Sequence, residues 1–128
     1  MSLLTREQIL GAHDLKREPI ELPEWGGAAY VREFTGSERE VFEQYATRYS
    51  QGEVISDIRA RVAAWCLVDE QGKRIFTDDD IAVLTGKSPR PLVRIFNAVL
   101  RLSALTPEGQ EQIEKNSATP PENDSGTN

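Results

Sequence analysis

"DIAVLTGKSPRPLVRIF", residues 80–96, sets the fold class, because it holds two short apolar-periodic runs joined at Gly86. Ile81, Ala82 and Leu84 fit a short helix stopping at Gly86, a residue able to take the left-handed conformation that closes a helix. Ser88 then caps a second helix with Pro89 at its first position; Pro91 still falls in the first turn, where it costs little. That helix is expected to run from about Pro89 to Ala104, with Leu92, Ile95, Phe96, Val99, Leu100 and Leu102 on its apolar side. At about 100° per residue, Lys87, Arg90, Arg94 and Arg101 fall within about 60° of one another on the opposite side. They make one basic stripe.

Working toward the N-terminus, "TDDD" (77–80) places carboxylates where a helix N-terminus favours them. "EQGK" reads as a turn and "KRIF" as a short strand. "DIRARVAAWCLVD" (57–69), opened by Ser56 and Asp57, reads as a helix with Ile58, Val62, Trp65 and Cys66 on its core stripe and Arg59 and Arg61 outside it. In "TGSEREVFEQYATRYS" (35–50), Thr35 with Glu38 or Ser37 with Glu40 can form a capping box, and Val41, Phe42, Tyr45, Ala46 and Tyr49 recur at helical spacing. Before it, "LKREPIEL", "PEWGG" and "AAYVREF" read as strand, loop, strand. Pro19 cannot donate to a ladder, so the first strand belongs at a sheet edge. Thr5 and Gln8 box the start of a short helix ending at Gly11.

Beyond Ala104, Thr106-Pro107-Glu108 reads as a further cap, "EGQEQIEKN" as a polar helix or a frayed end, and "NSATPPENDSGTN" contains no large apolar residue able to offset the cost of ordering. The expectation is one folded domain over 1–115, with a hairpin at about 15–34 and helices over about 37–115, and a disordered tail at 116–128. The fold class is α+β, predominantly α-helical: an N-terminal β-hairpin followed by a bundle of four to five helices.

Chemistry-bearing residues are sparse. The 128 residues hold one cysteine, Cys66, and one histidine, His13. Cys66 lies in the apolar run "VAAWCLV", which suits a buried inert thiol, and His13 has no second ligand or base beside it. Three adjacent acids in "TDDD" cannot all face one ion from a helix, and "EWGG" lacks the spacing of a phosphate loop. No catalytic residue, metal site or cofactor site is therefore expected. No apolar run approaches the roughly 20 residues of a membrane span, and "MSLLTREQIL" lacks the parts of a secretory signal, which makes the cytoplasm the default.

The net charge of −6 opposes attraction to nucleic acid. The charge is uneven, with eleven acids against six bases over 33–80 and four bases without an acid over 87–106. Residues 80–102 also match the spacing of a helix-turn-helix, with Ala82 four before Gly86 and with Leu92 and Ile95 as packing positions. Arg90 and Arg94 are the base-reading candidates of that alternative, but Asp78, Asp79 and Asp80 would repel phosphate beside them. The other reading is a surface for protein partners built from Trp25, Phe42, Tyr45, Tyr49, Phe96, Arg90, Arg94 and Arg101.

Taken in order, "SLLTREQILGAHDLKREPIELPEWGGAAYVREFTGSERE", "IFNAVLRLSAL" and "IEKNSATP" resemble the tail assembly chaperones of long-tailed bacteriophages, across nearly the whole chain. The resemblance implies a non-enzyme made in the cytoplasm of the bacterial host. Its implied partners are the tape-measure protein and the tail-tube subunits, chiefly the major tail protein, and it would be absent from the finished virion. It also implies that a frameshifted longer form can accompany the short one. Under it, the basic stripe becomes a docking face for protein or a contact between copies. A toxin-antitoxin or other interaction module would keep the same fold and change only the partner.

Overall fold

The computed structural model describes residues 2–54 and 56–105. The expected polar helix after Thr106 and the tail lie outside the described residues. In chain order the elements are α1 (Arg6–Leu10), β1 (Arg17–Leu22), β2 (Gly27–Arg32), α2 (Gly36–Ser50), α3 (Ile58–Cys66), β3 (Leu67–Val68), α4 (Ile81–Leu84) and α5 (Pro89–Leu102). The class is α+β and mostly helical, as the periodicities imply.

β1 and β2 pair antiparallel from Arg17 opposite Arg32 to Leu22 opposite Gly27. A short 3₁₀ turn over Pro23–Trp25 joins them, and Gly26 ends that turn at φ 83, where a side chain would be strained. The Glu33 amide donates to the Lys16 carbonyl at 2.9 Å. By the alternation of an antiparallel ladder, the amide positions of Arg17, Pro19 and Glu21 then face away from β2. β1 is the sheet edge, so Pro19 removes no internal hydrogen bond. Ile20, Leu22 and Val31 point to the buried face.

The sheet has a third strand that the sequence reading did not separate from the preceding helix. Leu67 and Val68 pair with Val31 and Tyr30, so α3 stops at Cys66 and the chain turns extended. The run Val62–Val68 is apolar at every position, which leaves no period to mark where helix gives way to strand. "KRIF" contributes a single bridge, Arg74 to Val68, in place of the expected strand.

α3 is the centre of the helical layer. Ala60, Val62, Ala63, Ala64, Trp65 and Cys66 are all buried, a wider face than the four-residue stripe expected from spacing. Leu92, Ile95, Ala98 and Val99 of α5 and Ile81 and Leu84 of α4 complete the core with the inner face of the sheet. α4 is preceded by a 3₁₀ turn over Asp78–Asp80, with Thr77 and Asp80 forming a capping box. Gly86 does not adopt the left-handed conformation expected of it; the amides of Gly86 and Lys87 instead donate to the Val83 and Leu84 carbonyls at 3.0 Å each. A right-handed turn therefore leads into α5. That helix ends two residues sooner than expected, at Leu102.

Candidate partner-binding surface

One sequence signal, the capping box at Thr35, and one buried contact made by Arg32 place the aromatic residues of α2. The Thr35 hydroxyl accepts from the Glu38 amide at 3.2 Å, and the Glu38 carboxylate accepts from the Thr35 amide at 3.0 Å, which starts α2 at a fixed point. Glu38 also takes two hydrogen bonds from the buried Arg32 guanidinium, at 2.8 and 3.1 Å. Arg32 in turn donates to the Trp65 carbonyl at 2.7 Å, so one guanidinium joins β2, α2 and the end of α3. Burial opposes its charge, and Glu38 more than offsets that: the Arg32 pKa lies above its ordinary value.

From this anchor α2 extends outward with progressively less cover. No residue of α2 is fully buried. Phe42 packs on Phe34 and Phe96, at ring-centroid distances of 5.2 and 6.0 Å. Tyr45 is half-buried, Ala46 is exposed, and Tyr49 is 71% exposed. α3 brings Ile58 and Arg59 to the same place, and α5 brings Phe96. The result is a groove of about 360 Å³ lined by Phe42, Tyr45, Ala46, Tyr49, Ile58, Arg59 and Phe96. Guanidiniums border it, with Arg48 and Arg61 over the Tyr45 ring at 5.4 and 5.8 Å and Arg59 over Phe96 at 5.6 Å. Arg48 is paired with Glu53 and Arg61 with Asp57. Arg59 has no carboxylate partner among the described residues. The groove is apolar inside and cationic at its border, a form suited to an apolar helix or an aromatic side chain.

The sequence candidates divide among three places. Phe42, Tyr45, Tyr49 and Phe96 come together in this groove. Trp25 sits at the hairpin tip, 38% exposed, over a second cleft formed with Phe76, Asp80, Val83, Leu84 and Lys87. Arg94 and Arg101 share one side of α5 and face the hairpin. Arg94 donates to both Glu24 oxygens, at 2.8 and 2.9 Å, and Arg101 binds both oxygens of Glu18. Arg94 holds the Glu24 carboxyl down at about 2, helped by a backbone hydrogen bond. Arg90 is exposed at the start of α5.

For the helix-turn-helix alternative this is an unfavourable arrangement. Its first helix is the four-residue α4 behind three carboxylates, and two arginines of its second helix are bound to acids of the same chain. Cys66 is buried, and burial pushes its thiol up to about 12 against the opposing pull of Arg32, so it offers no thiolate near neutral pH. Among the described residues no three His, Cys, Asp or Glu side chains gather to hold a metal ion, and no helix is long and apolar enough to cross a membrane.

Ile58, expected on the core stripe, packs against the core and also lines the groove, and Ala46, expected on the apolar side of α2, is exposed in the groove. Sequence reasoning passed over the exposed Leu3, Leu4, Ile9, Leu10, Ile75 and Val83. The signal for the first four was present in the Thr5–Gln8 box, which fixes a helix too short to bury them.

No protein-family model matches the chain, and no curated protein matches it significantly by sequence. Among solved structures, the tail assembly chaperone of bacteriophage HK97 is similar in fold. The two share 16% identity with a TM-score of 0.55, and the likeness covers 75% of this chain and 90% of that one.

Proposed function

We propose that this chain is a non-catalytic chaperone of phage tail assembly, which holds the tape-measure protein and tail-tube subunits in the host cytoplasm until the tail is built and does not remain in the virion. The observation that carries the reading is the shared fold with the HK97 chaperone, which spans nearly all of that protein. The α2–α3–α5 groove supports it, because an assembling tail protein with long apolar helical faces needs cover, and an apolar groove between helices supplies it. The net charge of −6 would keep such a complex dispersed.

Co-expression with the tape-measure protein of the same genome tests the reading. The expected result is that the tape-measure protein becomes soluble and co-purifies with the chaperone. The double variant Ala46→Glu, Tyr49→Glu, which alters two exposed groove positions, should lose that co-purification while keeping its circular dichroism. A tape-measure protein equally insoluble with and without this chain would refute the proposal.

A further inference from the structure

We propose that a cleft on the outer face of the sheet binds an acidic stretch of a partner polypeptide, with one carboxylate held by Arg17 and His13 and an apolar neighbour laid over Leu15 and Val68.

By the register, Arg17, Tyr30 and Val68 share the face of the sheet opposite Ile20, Leu22 and Val31. Val68 is nevertheless 1% exposed. Residues 12–15 and 71–72 wall a cleft of about 520 Å³ around it, with Arg17 and Arg32. The cleft shares no residue with the α2–α3–α5 groove, and the inference does not rest on the chaperone reading.

Arg17 is held in place by uncharged groups. The turn beside it is fixed: the Asp69 carboxylate accepts from the Gln71 and Lys73 amides at 2.9 Å each, the Asp69 amide donates to the Lys73 carbonyl at 2.8 Å, and Gly72 takes φ 86. Arg17 Nη1 donates to the Asp69 carbonyl at 3.3 Å, and the guanidinium lies over the Tyr30 ring at 5.1 Å. Among the described residues no carboxylate comes within ion-pair reach of it. Nε and Nη2 are left for an incoming acceptor. Arg32 also walls the cleft, but Glu38 matches its charge, so the binding charge is that of Arg17. His13 adds an imidazole N–H, which it offers whether neutral or charged.

The lining selects the occupant. A planar carboxylate matches the fork of a guanidinium. Asp14 stands in the same wall and repels a second anion, which limits the site to one carboxylate. Ala12, Leu15 and Val68 make the rest of the wall apolar, and the volume is that of a site for a ligand of many atoms, not a lone oxyanion. The net charge of −6 keeps phosphate polymers away. A carboxylate between apolar side chains satisfies all of these conditions.

Amide NMR of the full chain, titrated with the end-blocked peptide Ser-Leu-Glu-Leu-Ser and its Gln counterpart, tests this. The expected result is saturable shifts confined to residues 12–17, 30–32 and 67–73 with the Glu peptide, and binding roughly tenfold weaker with the Gln peptide. Arg17→Gln should lose a similar factor while its thermal midpoint stays put, because that side chain is exposed, and Arg17→Lys should lose less. Asp14→Asn should bind more tightly. Ala46→Glu, Tyr49→Glu, which alters the groove, should bind as wild type does. Equal binding of the two peptides, shifts centred elsewhere, an unchanged affinity in Arg17→Gln, or inorganic phosphate bound as well as the Glu peptide would each overturn the proposal. No tail protein enters the measurement, so its failure leaves the chaperone reading standing, and failure of that reading leaves this one.

Discussion

Ala104 carries φ 60, the one positive φ at a non-glycine residue among the described residues. It closes α5: its amide donates to the Arg101 carbonyl at 3.1 Å, and the Leu105 amide reaches the Leu100 carbonyl at 2.8 Å. That is the hydrogen-bond pair of a helix ending which glycine normally occupies. Ala104→Gly should therefore stabilise the protein by about 0.5 kcal/mol, net of the larger entropy of the unfolded glycine chain, read as a higher urea midpoint. The Arg32–Glu38 pair works the other way. Their side chains are 7% and 13% exposed, so removing one charge strands the other. Glu38→Gln keeps a residue able to complete the capping box with Thr35 but loses the ion pair. It is expected to cost about 3 kcal/mol in urea unfolding at neutral pH. The cap was readable from Thr35 and Glu38 three residues apart. The burial of Arg32 was not, because strand alternation puts it on the outer face, and only the meeting of the α2 start with the α3 carbonyl end encloses it.

At the level of elements, the helix starts were the best-marked features. Thr5, Thr35 and Ser88 all cap where their spacing indicated, since a cap depends on only a few neighbouring residues. The boundary between α3 and β3 was hidden, because which part of a uniformly apolar run pairs with β2 is decided by contacts distant in sequence. α2 is fixed at its first turn and thinly covered thereafter, and its amides beyond Phe42 should exchange hydrogen by local opening, well before those of α3; amide exchange followed by NMR checks the order. The docking of α5 on the hairpin predicts a pH effect. The Glu24 carboxyl titrates at about 2 in the folded protein, below its ordinary value of 4.5. The folded state thus binds fewer protons, and the contribution is present above pH 4.5 and lost as pH falls toward 2. Glu24→Gln should flatten the stability profile in that window while leaving its shape above pH 5 unchanged.

For the molecule as a whole, acidic composition and the internal pairing of Arg94 and Arg101 point away from nucleic acid. Duplex DNA in a low-salt gel shift is expected to give no retarded band. A salt-sensitive band lost in Arg90→Ala would restore the regulator reading. The groove itself was half legible. Phe42, Tyr45 and Tyr49 could be assigned to one helix face, but their meeting with Ile58 and Phe96 depends on how three helices cross, and no single-helix periodicity contains that. The N-terminal leucines were harder still, since exposure is a property of the folded surface. Pro19 interrupts the row of amides along the free margin of β1, and the opposite margin is a strand of two residues, so the sheet over the described residues presents only a short, broken edge for backbone pairing with another chain. Assembly of this protein is then expected to rest chiefly on side-chain contacts, which can come apart again.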